Sequence, residues 1–198
     1  MKRCFDIVLS AIGLVLLSPL FLVLAICIIA DSEGGVFYRQ TRVGKGNKDF
    51  RLYKFRSMYT ASDKKGLLTV SNHDSRITRV GYFIRKYKLD ELPQLINVLT
   101  GDMSFVGPRP EVRKYVDLYT EEQMLVLDIR PGITDAASIK YRNENEILAT
   151  QENPEQYYIE HIMPDKLAIN LEYVRHHSVG KDIRLIWETF VAVARKAA

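Results

Sequence analysis

Residues 7–30, "IVLSAIGLVLLSPLFLVLAICIIA", run for 24 positions without a charge. A straight helix of that length extends about 36 Å, against a hydrocarbon core of about 30 Å. The stretch is long enough to cross a bilayer once. It fits a cleaved signal peptide poorly, because the apolar run is too long and no A-x-A site follows it. Two features compete with simple crossing. Ser18-Pro19 falls in the middle; Pro19 has no N–H for the carbonyl of Val15 and its ring crowds that turn, so a kink is expected. Each half then extends about 18 Å, too short to cross alone. The flanks also agree in sign. Lys2 and Arg3 precede the stretch, and Arg39, Arg42, Lys45 and Lys48 follow it; the positive-inside tendency holds both ends in the cytoplasm. A proline-kinked spanning helix and a helix-break-helix that enters and leaves by one face both satisfy these residues. The backbone group freed by Pro19 needs an internal partner, and the Ser18 hydroxyl is a candidate.

Beyond residue 33 the charge is uneven. Residues 34–88 hold fourteen Lys/Arg and three Asp, and residues 89–198 hold twelve Lys/Arg and eighteen Asp/Glu. A basic region this marked suits a polyanionic partner: phosphates, nucleic acid or an anionic membrane face. Cys4 and Cys27, the only cysteines, form no CxxC pair, which argues against a disulfide framework or a zinc site. The four histidines show no metal-ligand spacing.

The local patterns give a mixed, mostly helical chain. "VFYRQTRVGKGNKDFRLYKFRSM" (36–58) reads as two strands around a turn at Gly44–Asn47. Residues 59–75 read as a loop. "SRITRVGYFIRKYK" (75–88) carries apolar residues at helical spacing between Lys and Arg, as a membrane-surface helix or an ordinary surface helix does. A helix is expected from Asp90, with Asp90 as N-cap, Pro93 at N3 and Gly101 as its stop. "GDMSFVGPRP" (101–110) reads as a loop with rigid turns. Thr120 and Gln123 have capping-box spacing, which predicts a helix over 121–129, and "RPGIT" (130–134) breaks it. Residues 155–173 read as helix interrupted at Pro164. From Lys181, the residues Ile183, Ile186, Trp187, Phe190 and Ala194 share one face, for core or membrane-interface packing.

"LDELPQL" (89–95) places two carboxylates beside that basic run. A helix start stabilises an acid electrostatically, so Asp90 and Glu91 need no chemistry to explain them alone. Their surroundings add some. Lys54, Arg56, Arg79, Arg85 and Lys88 belong to the basic region, and Arg109 is held between prolines in "GPRP". The planar fork of arginine suits phosphate oxygens. A carboxylate facing a diphosphate needs an intervening cation, and Mg²⁺ is the natural choice. Such a carboxylate can attack phosphorus to form an acyl phosphate. No GxxxxGK[ST] or GxGxxG motif is present. The residues alone thus describe a membrane-attached protein that handles phosphates.

The segments "KLDELPQLINVLTGDMSFVGPRP", "RPGIT" and "KRCFDIVLSAIGLVLLSP" resemble the bacterial sugar transferase family, the monotopic phosphoglycosyl transferases. The resemblance runs from about residue 2 to 145. It implies transfer of a sugar-1-phosphate from a UDP-sugar to a polyprenol (undecaprenyl) phosphate at the cytoplasmic face of the bacterial inner membrane, with release of UMP and initiation of glycan assembly. It implies Asp90 as nucleophile and Glu91 as its partner, holding Mg²⁺ with it or assisting the incoming phosphate. Arg85 matches a phosphate-binding arginine. Pro108, Arg109 and Pro110 match the nucleotide-associated segment, Arg142 falls near a substrate-binding arginine, and Lys54 joins the substrate-binding set. Ser18 and Pro19 match the break of a re-entrant membrane helix. The fold so implied is α/β and mostly helical: a re-entrant helix over 1–33, then a small cytoplasmic α/β catalytic domain over 34–198 with amphipathic interfacial helices. Where many members continue after "RPGIT" with a Gly-Leu-Ala-Gln-like run, this chain has "DAASIKYRNENE", a departure that bears on the sugar pocket. The expected partners are the UDP-sugar, the polyprenol phosphate and the bilayer; a homodimer is compatible with these expectations. Two non-enzymatic rivals are a membrane-anchored basic scaffold and a nucleic-acid binder, the latter lacking a module and burdened by the apolar segment. A third rival is a glycosyltransferase that releases UDP.

Overall fold

The computed structural model describes residues 2–60, 62 and 74–197, with side chains described to residue 192. Most of the loop expected over 59–75 lies outside the described residues. In order, the elements are α1 (Lys2–Asp31), β1 (Phe37–Val43), β2 (Asp49–Phe55), α2 (Arg79–Lys86), α3 (Gln94–Thr100), β3 (Ser104–Val106), α4 (Arg113–Val116), α5 (Glu121–Met124), β4 (Gly132–Thr134), α6 (Ala136–Lys140), α7 (Glu144–Ala149), α8 (Pro154–Tyr157), α9 (Met163–His176) and α10 (Val179–Ala197). The architecture is α/β and mostly helical.

Helix α1 is continuous for 30 residues with Pro19 inside it. The helix continues through Ser18 and Pro19, so the expected break is a site within one continuous helix and not a gap between two helices. The reason is local. Pro19 leaves the Val15 carbonyl without its usual donor, and Ser18 Oγ donates to that carbonyl at 2.8 Å. Only 11% of the most apolar window of α1 is buried in the protein, whereas a soluble core helix is mostly buried; α1 is long and apolar enough to cross a membrane. Val15 and Leu16, just before the proline, are 72% and 73% exposed.

Both ends of α1 are tied to the rest of the protein. At the start, Lys2 pairs with Asp182 at 2.9 Å and donates to Val106 O and Tyr173 Oη. Arg3 donates to the Leu99 carbonyl at the end of α3, and buried Asp6 accepts from Ser104 Oγ and Phe105 N. At the other end, the guanidinium of Arg56 donates to the carbonyls of Ser32, Glu33 and Gly35, closing the helix C-terminus. Asp31 accepts from Val80 N, at the start of α2. Leu24 and Ile28 pack with Phe55 and Ile84, all nearly inaccessible; burying each such side chain is worth about 1.5–3 kcal/mol.

The β1–β2 hairpin is antiparallel, in the register Phe37↔Phe55 to Val43↔Asp49. Its turn sits where expected, with Gly46 and Asn47 at positive φ. Residues 104–106, expected within a loop, form β3, which pairs in parallel with β4. Three-residue strands carry too little pattern to be read alone. Their approach depends on glycine. A Cβ on Gly132 would lie 2.1 Å from Gly107 N, and one on Gly107 2.4 Å from Arg130 O. "GPRP" and "RPGIT" are thus two sides of one tight contact, closed by Gly132 N donating to Pro108 O and Gly107 N to Thr134 O.

The C-terminal half packs Tyr115, Leu148, Ile162 and Leu167 into a second core. The capping box of Thr120 and Gln123 forms as its spacing predicts. The interruption near Pro164 is a π turn over Tyr158–Ile162, after which α9 begins with that proline in its first turn. On α10, Leu185 is buried, whereas Trp187 and Phe190 are 70% and 68% exposed. That apolar face is largely exposed at Ile183, Trp187 and Phe190, while Ile186 packs against Val106, Tyr173 and Leu185.

Candidate active site

Helix α2 ends with Arg85 and Lys86, and the chain turns sharply at Lys88, which has a left-handed backbone (φ 58°). A 3₁₀ turn, Leu89–Glu91, follows before α3 starts at Gln94. This corrects the expectation that Asp90 caps a helix: it lies inside the 3₁₀ turn, and Pro93 takes the N-cap position. Gly101 ends α3 with φ 98°, as expected.

The turn presents its acids to a cleft of about 1360 Å³. Lys54 on β2, Arg85, Lys88, Asp90, Glu91 and Arg109 line it together. Arg142, between α6 and α7, lines it as well. Lys54, Arg85, Arg109 and Arg142, the charged residues expected to bind substrate, thus reach one cavity, whereas Arg79 of the basic region does not line it. Pro108 and Pro110 do not line it; both border a separate void of about 30 Å³ behind Arg109. Their rings fix the backbone on either side of the arginine. Ser18 and Pro19 lie outside the cleft, although Leu17, Gly13 and Leu9 of α1 line its apolar end.

The two acids differ in kind. Glu91 is committed: Arg109 donates to both of its oxygens in a fork, and Lys54 donates to Oε1 at 3.2 Å. Burial works against its charge, but the combined fields of Arg109, Lys54 and Lys88 prevail and hold its carboxyl well below the usual range. Glu91 in turn raises the pKa of Arg109. Burial lowers the pKa of Lys54 despite Glu91. Asp90 is uncommitted. It is 6% exposed, and its Oδ1 is buried without a hydrogen-bond partner. Burial raises its pKa, and Lys54 only partly offsets that.

A divalent cation would find one free carboxylate here. Among the described residues no three His/Cys/Asp/Glu cluster as a cation cage. Mg²⁺ does not require one, since it binds through one or two carboxylates with substrate phosphates completing the sphere. Asp90, buried, unpaired and facing the cleft, fits that use; Glu91 already has its oxygens occupied.

Two residues outside the expected set hold the arginine loop. Arg42 donates to Pro110 O at 3.0 Å and pairs with Glu111 at 3.1 Å. Glu111 also accepts from Tyr158 Oη at 2.8 Å. Only their nearness in sequence to "GPRP" and to the basic run hinted at this, because the contact spans 69 positions.

A buried carboxylate in a cationic cleft, beside a helix long and apolar enough to cross a membrane, is an arrangement suited to phosphate-bearing ligands. The family follows from comparison. The bacterial sugar transferase model matches residues 1–196, and the chain belongs to that family. It is 40% identical over 191 residues to the UDP-N-acetylgalactosamine-undecaprenyl-phosphate N-acetylgalactosaminephosphotransferase of Aeromonas hydrophila, covering 95% of this chain and 42% of that protein. It is 39% identical over 203 residues to the UDP-glucose:undecaprenyl-phosphate glucose-1-phosphate transferase of Escherichia coli, covering 100% of this chain and 41% of that protein. The UDP-glucose:undecaprenyl-phosphate glucose-1-phosphate transferase of Caulobacter vibrioides is 34% identical over 192 residues, 95% of this chain and 67% of that one. The chain spans about two fifths of the length of the first two relatives.

Proposed function

We propose that this protein is a phosphoglycosyl transferase, which moves a sugar-1-phosphate from a UDP-sugar to undecaprenyl phosphate and releases UMP. The observation that carries the reading is Asp90: a buried carboxylate without a partner in a cleft lined by Lys54, Arg85, Lys88 and Arg109. The cleft is cationic at that end and apolar where α1 and α10 line it, through Leu9, Gly13, Leu17, Ile186 and Phe190. That pairing suits an acceptor with a phosphate head and a hydrocarbon tail, as the undecaprenyl phosphate named for the Aeromonas and Escherichia relatives is.

Asp90 attacks the β-phosphorus of the donor. The bond from that phosphorus to the bridging oxygen breaks, UMP leaves, and the sugar phosphate remains on Asp90 as an acyl phosphate. A phosphate oxygen of the acceptor then attacks the same phosphorus and expels the carboxylate. Bound Mg²⁺, held by Asp90 and the substrate phosphates, would screen the charge between carboxylate and diphosphate. Arg85, Lys88 and Arg109 orient the phosphates. Glu91 acts by fixing Arg109 and Lys54. Arg142 and its neighbours bound the sugar end of the cleft. The relatives' names include both glucose and N-acetylgalactosamine donors.

Protein in nanodiscs with Mg²⁺, undecaprenyl phosphate and a panel of UDP-sugars is expected to release UMP over many turnovers only when the lipid is present. Release of UDP would make it a glycosyltransferase instead. No nucleotide from any donor would favour a scaffold.

The same reading places α1 as a re-entrant helix over residues 1–33, with residues 34–198 on the cytoplasmic face of the inner membrane. Lys2 and Arg3 at one end and Asp31 at the other dock on one body; a spanning helix would drag part of that body through the bilayer. Val15 and Leu16 then form the lipid-facing apex. Lys2→Cys and Lys45→Cys, in a background of Cys4→Ala and Cys27→Ala, are expected to be shielded alike from an impermeant reagent in intact cells. Labelling of one and not the other would restore a spanning helix.

A further inference from the structure

The same few residues that carry Asp90 hold a second side chain the chemistry has not used. Gln94 is 1% exposed, and its Nε2 is buried with no hydrogen-bond partner. Leaving such a donor unpaired costs about 1–3 kcal/mol, so two unpaired groups on one short stretch call for a reason. The backbone between them is right-handed throughout: Leu92 (φ −54°, ψ −36°) and Pro93 (φ −63°, ψ −13°) connect the 3₁₀ turn to α3. Asp90, Gln94 and Asn97 stand at i, i+4 and i+7, the spacing of one helix face, and all three are buried.

The far member of that stripe shows what the face does. Asn97 accepts from Tyr53 N at 2.9 Å and donates to Arg51 O at 2.8 Å, pairing with the edge of β2. Gln94 lies one turn nearer Asp90 and has no such pairing through Nε2. The Oδ1 of Asp90 is buried and unpartnered, while the residue itself lines the cleft. Two unsatisfied atoms of complementary kind, a donor and an acceptor, thus share the inner face of one turn.

We infer that Gln94 is a positioning residue for Asp90. Its amide donates to Oδ1, directly or through one buried water, when the carboxylate is loaded for reaction. That contact sets the rotation of the carboxyl and turns Oδ2 toward the phosphorus. The unpaired state is the one described here, and the stability it forgoes is recovered as orientation in the reacting complex. The inference rests on the phosphoglycosyl reading for its kinetic consequence but not for the contact itself.

Two measurements separate these. The first is a thermal cycle of wild type, Asp90→Asn, Gln94→Leu and the double variant in nanodiscs. Because the contact forms in the loaded state, it predicts non-additive Tm shifts with Mg²⁺ and UDP-sugar present, whereas in their absence Gln94→Leu alone is no less stable than wild type because it removes a buried orphan. The second is the rate of the UMP burst without acceptor. Gln94→Leu is expected to slow it about 10²-fold with the donor KM unchanged. Gln94→Met, similar in length but without the donor, is expected to behave alike. Additive Tm shifts overturn the contact. A burst within twofold of wild type overturns the positioning role, as does a rate loss seen only with a fallen Tm in both variants. A wild-type protein with no burst overturns the phosphoglycosyl reading, while the thermal cycle still decides the contact.

Discussion

Asp90→Asn is expected to abolish UMP release, by about 10⁴-fold or more, as removal of a nucleophile does, and to raise Tm at the same time. The two effects have one cause. Burial raises the pKa of Asp90, so the folded protein binds a proton there more readily than the unfolded chain. A group of this kind stabilises fully below its unfolded pKa, and that contribution is lost as pH rises through the folded value. At neutral pH the ionised carboxylate is therefore a cost, which the neutral amide removes. A gain of about 2–4 °C per kcal/mol applies to a chain of this size. The difference between variant and wild type is expected to close as pH falls below the unfolded value of 3.8. Thermal melts in EDTA across pH check the sign, and Mg²⁺ is expected to raise the Tm of wild type more than that of the variant. Near-normal UMP release by Asp90→Asn would remove the nucleophile from the scheme. A Tm lowered at neutral pH would mean that the carboxylate supports the fold.

How far such a site can be read beforehand depends on the range of the forces that shape it. The acids, the basic stretch and the proline-flanked Arg109 were legible as residue types, and the cleft gathers them. The capping box at Thr120 and the glycine stop at Gly101 were legible because each is decided within a few residues. The role of Ser18 was legible for the same reason: Pro19 frees a carbonyl three residues before a hydroxyl that reaches it. What the helix did with that bond was not, since a proline with a compensating hydroxyl fits a broken and a continuous helix alike. The turn at Lys88 escaped because a lysine at positive φ runs against local preference and is held by its surroundings. The β3–β4 ladder escaped because its signal is the mutual fit of two glycines in separate motifs. The division of labour between the acids escaped as well. Adjacent in the chain, Asp90 and Glu91 look alike until Arg109 and Lys54 arrive from 18 and 37 positions away and take one of them.

That division makes the second large effect calculable in sign. Glu91 is the counter-charge for two cations, of which Lys54 is 18% exposed and Arg109 31%. Glu91→Gln keeps the shape and removes the charge. Arg109 stays ionised, and Lys54, whose pKa burial already lowers, loses the group that resisted that loss. Breaking a buried pair from one side costs about 3–5 kcal/mol; the partial exposure of Arg109 favours the lower end, or a Tm lower by about 10 °C. Because the carboxyl of Glu91 is held well below 4.5, its contribution is present above that value and lost as pH falls through the folded one. The deficit of the variant is thus expected to be full at neutral pH and to shrink in acid. UMP release is expected to fall about 10²-fold, as misplaced phosphate-binding groups cause. The double variant Glu91→Gln, Arg109→Gln separates charge from packing. If the loss comes from an uncompensated guanidinium, the double variant melts above Glu91→Gln alone while remaining as inactive. If it melts lower, by the sum of the two single losses, the fork between Glu91 and Arg109 contributes only packing, and the account of how the committed acid leaves Asp90 free must be abandoned.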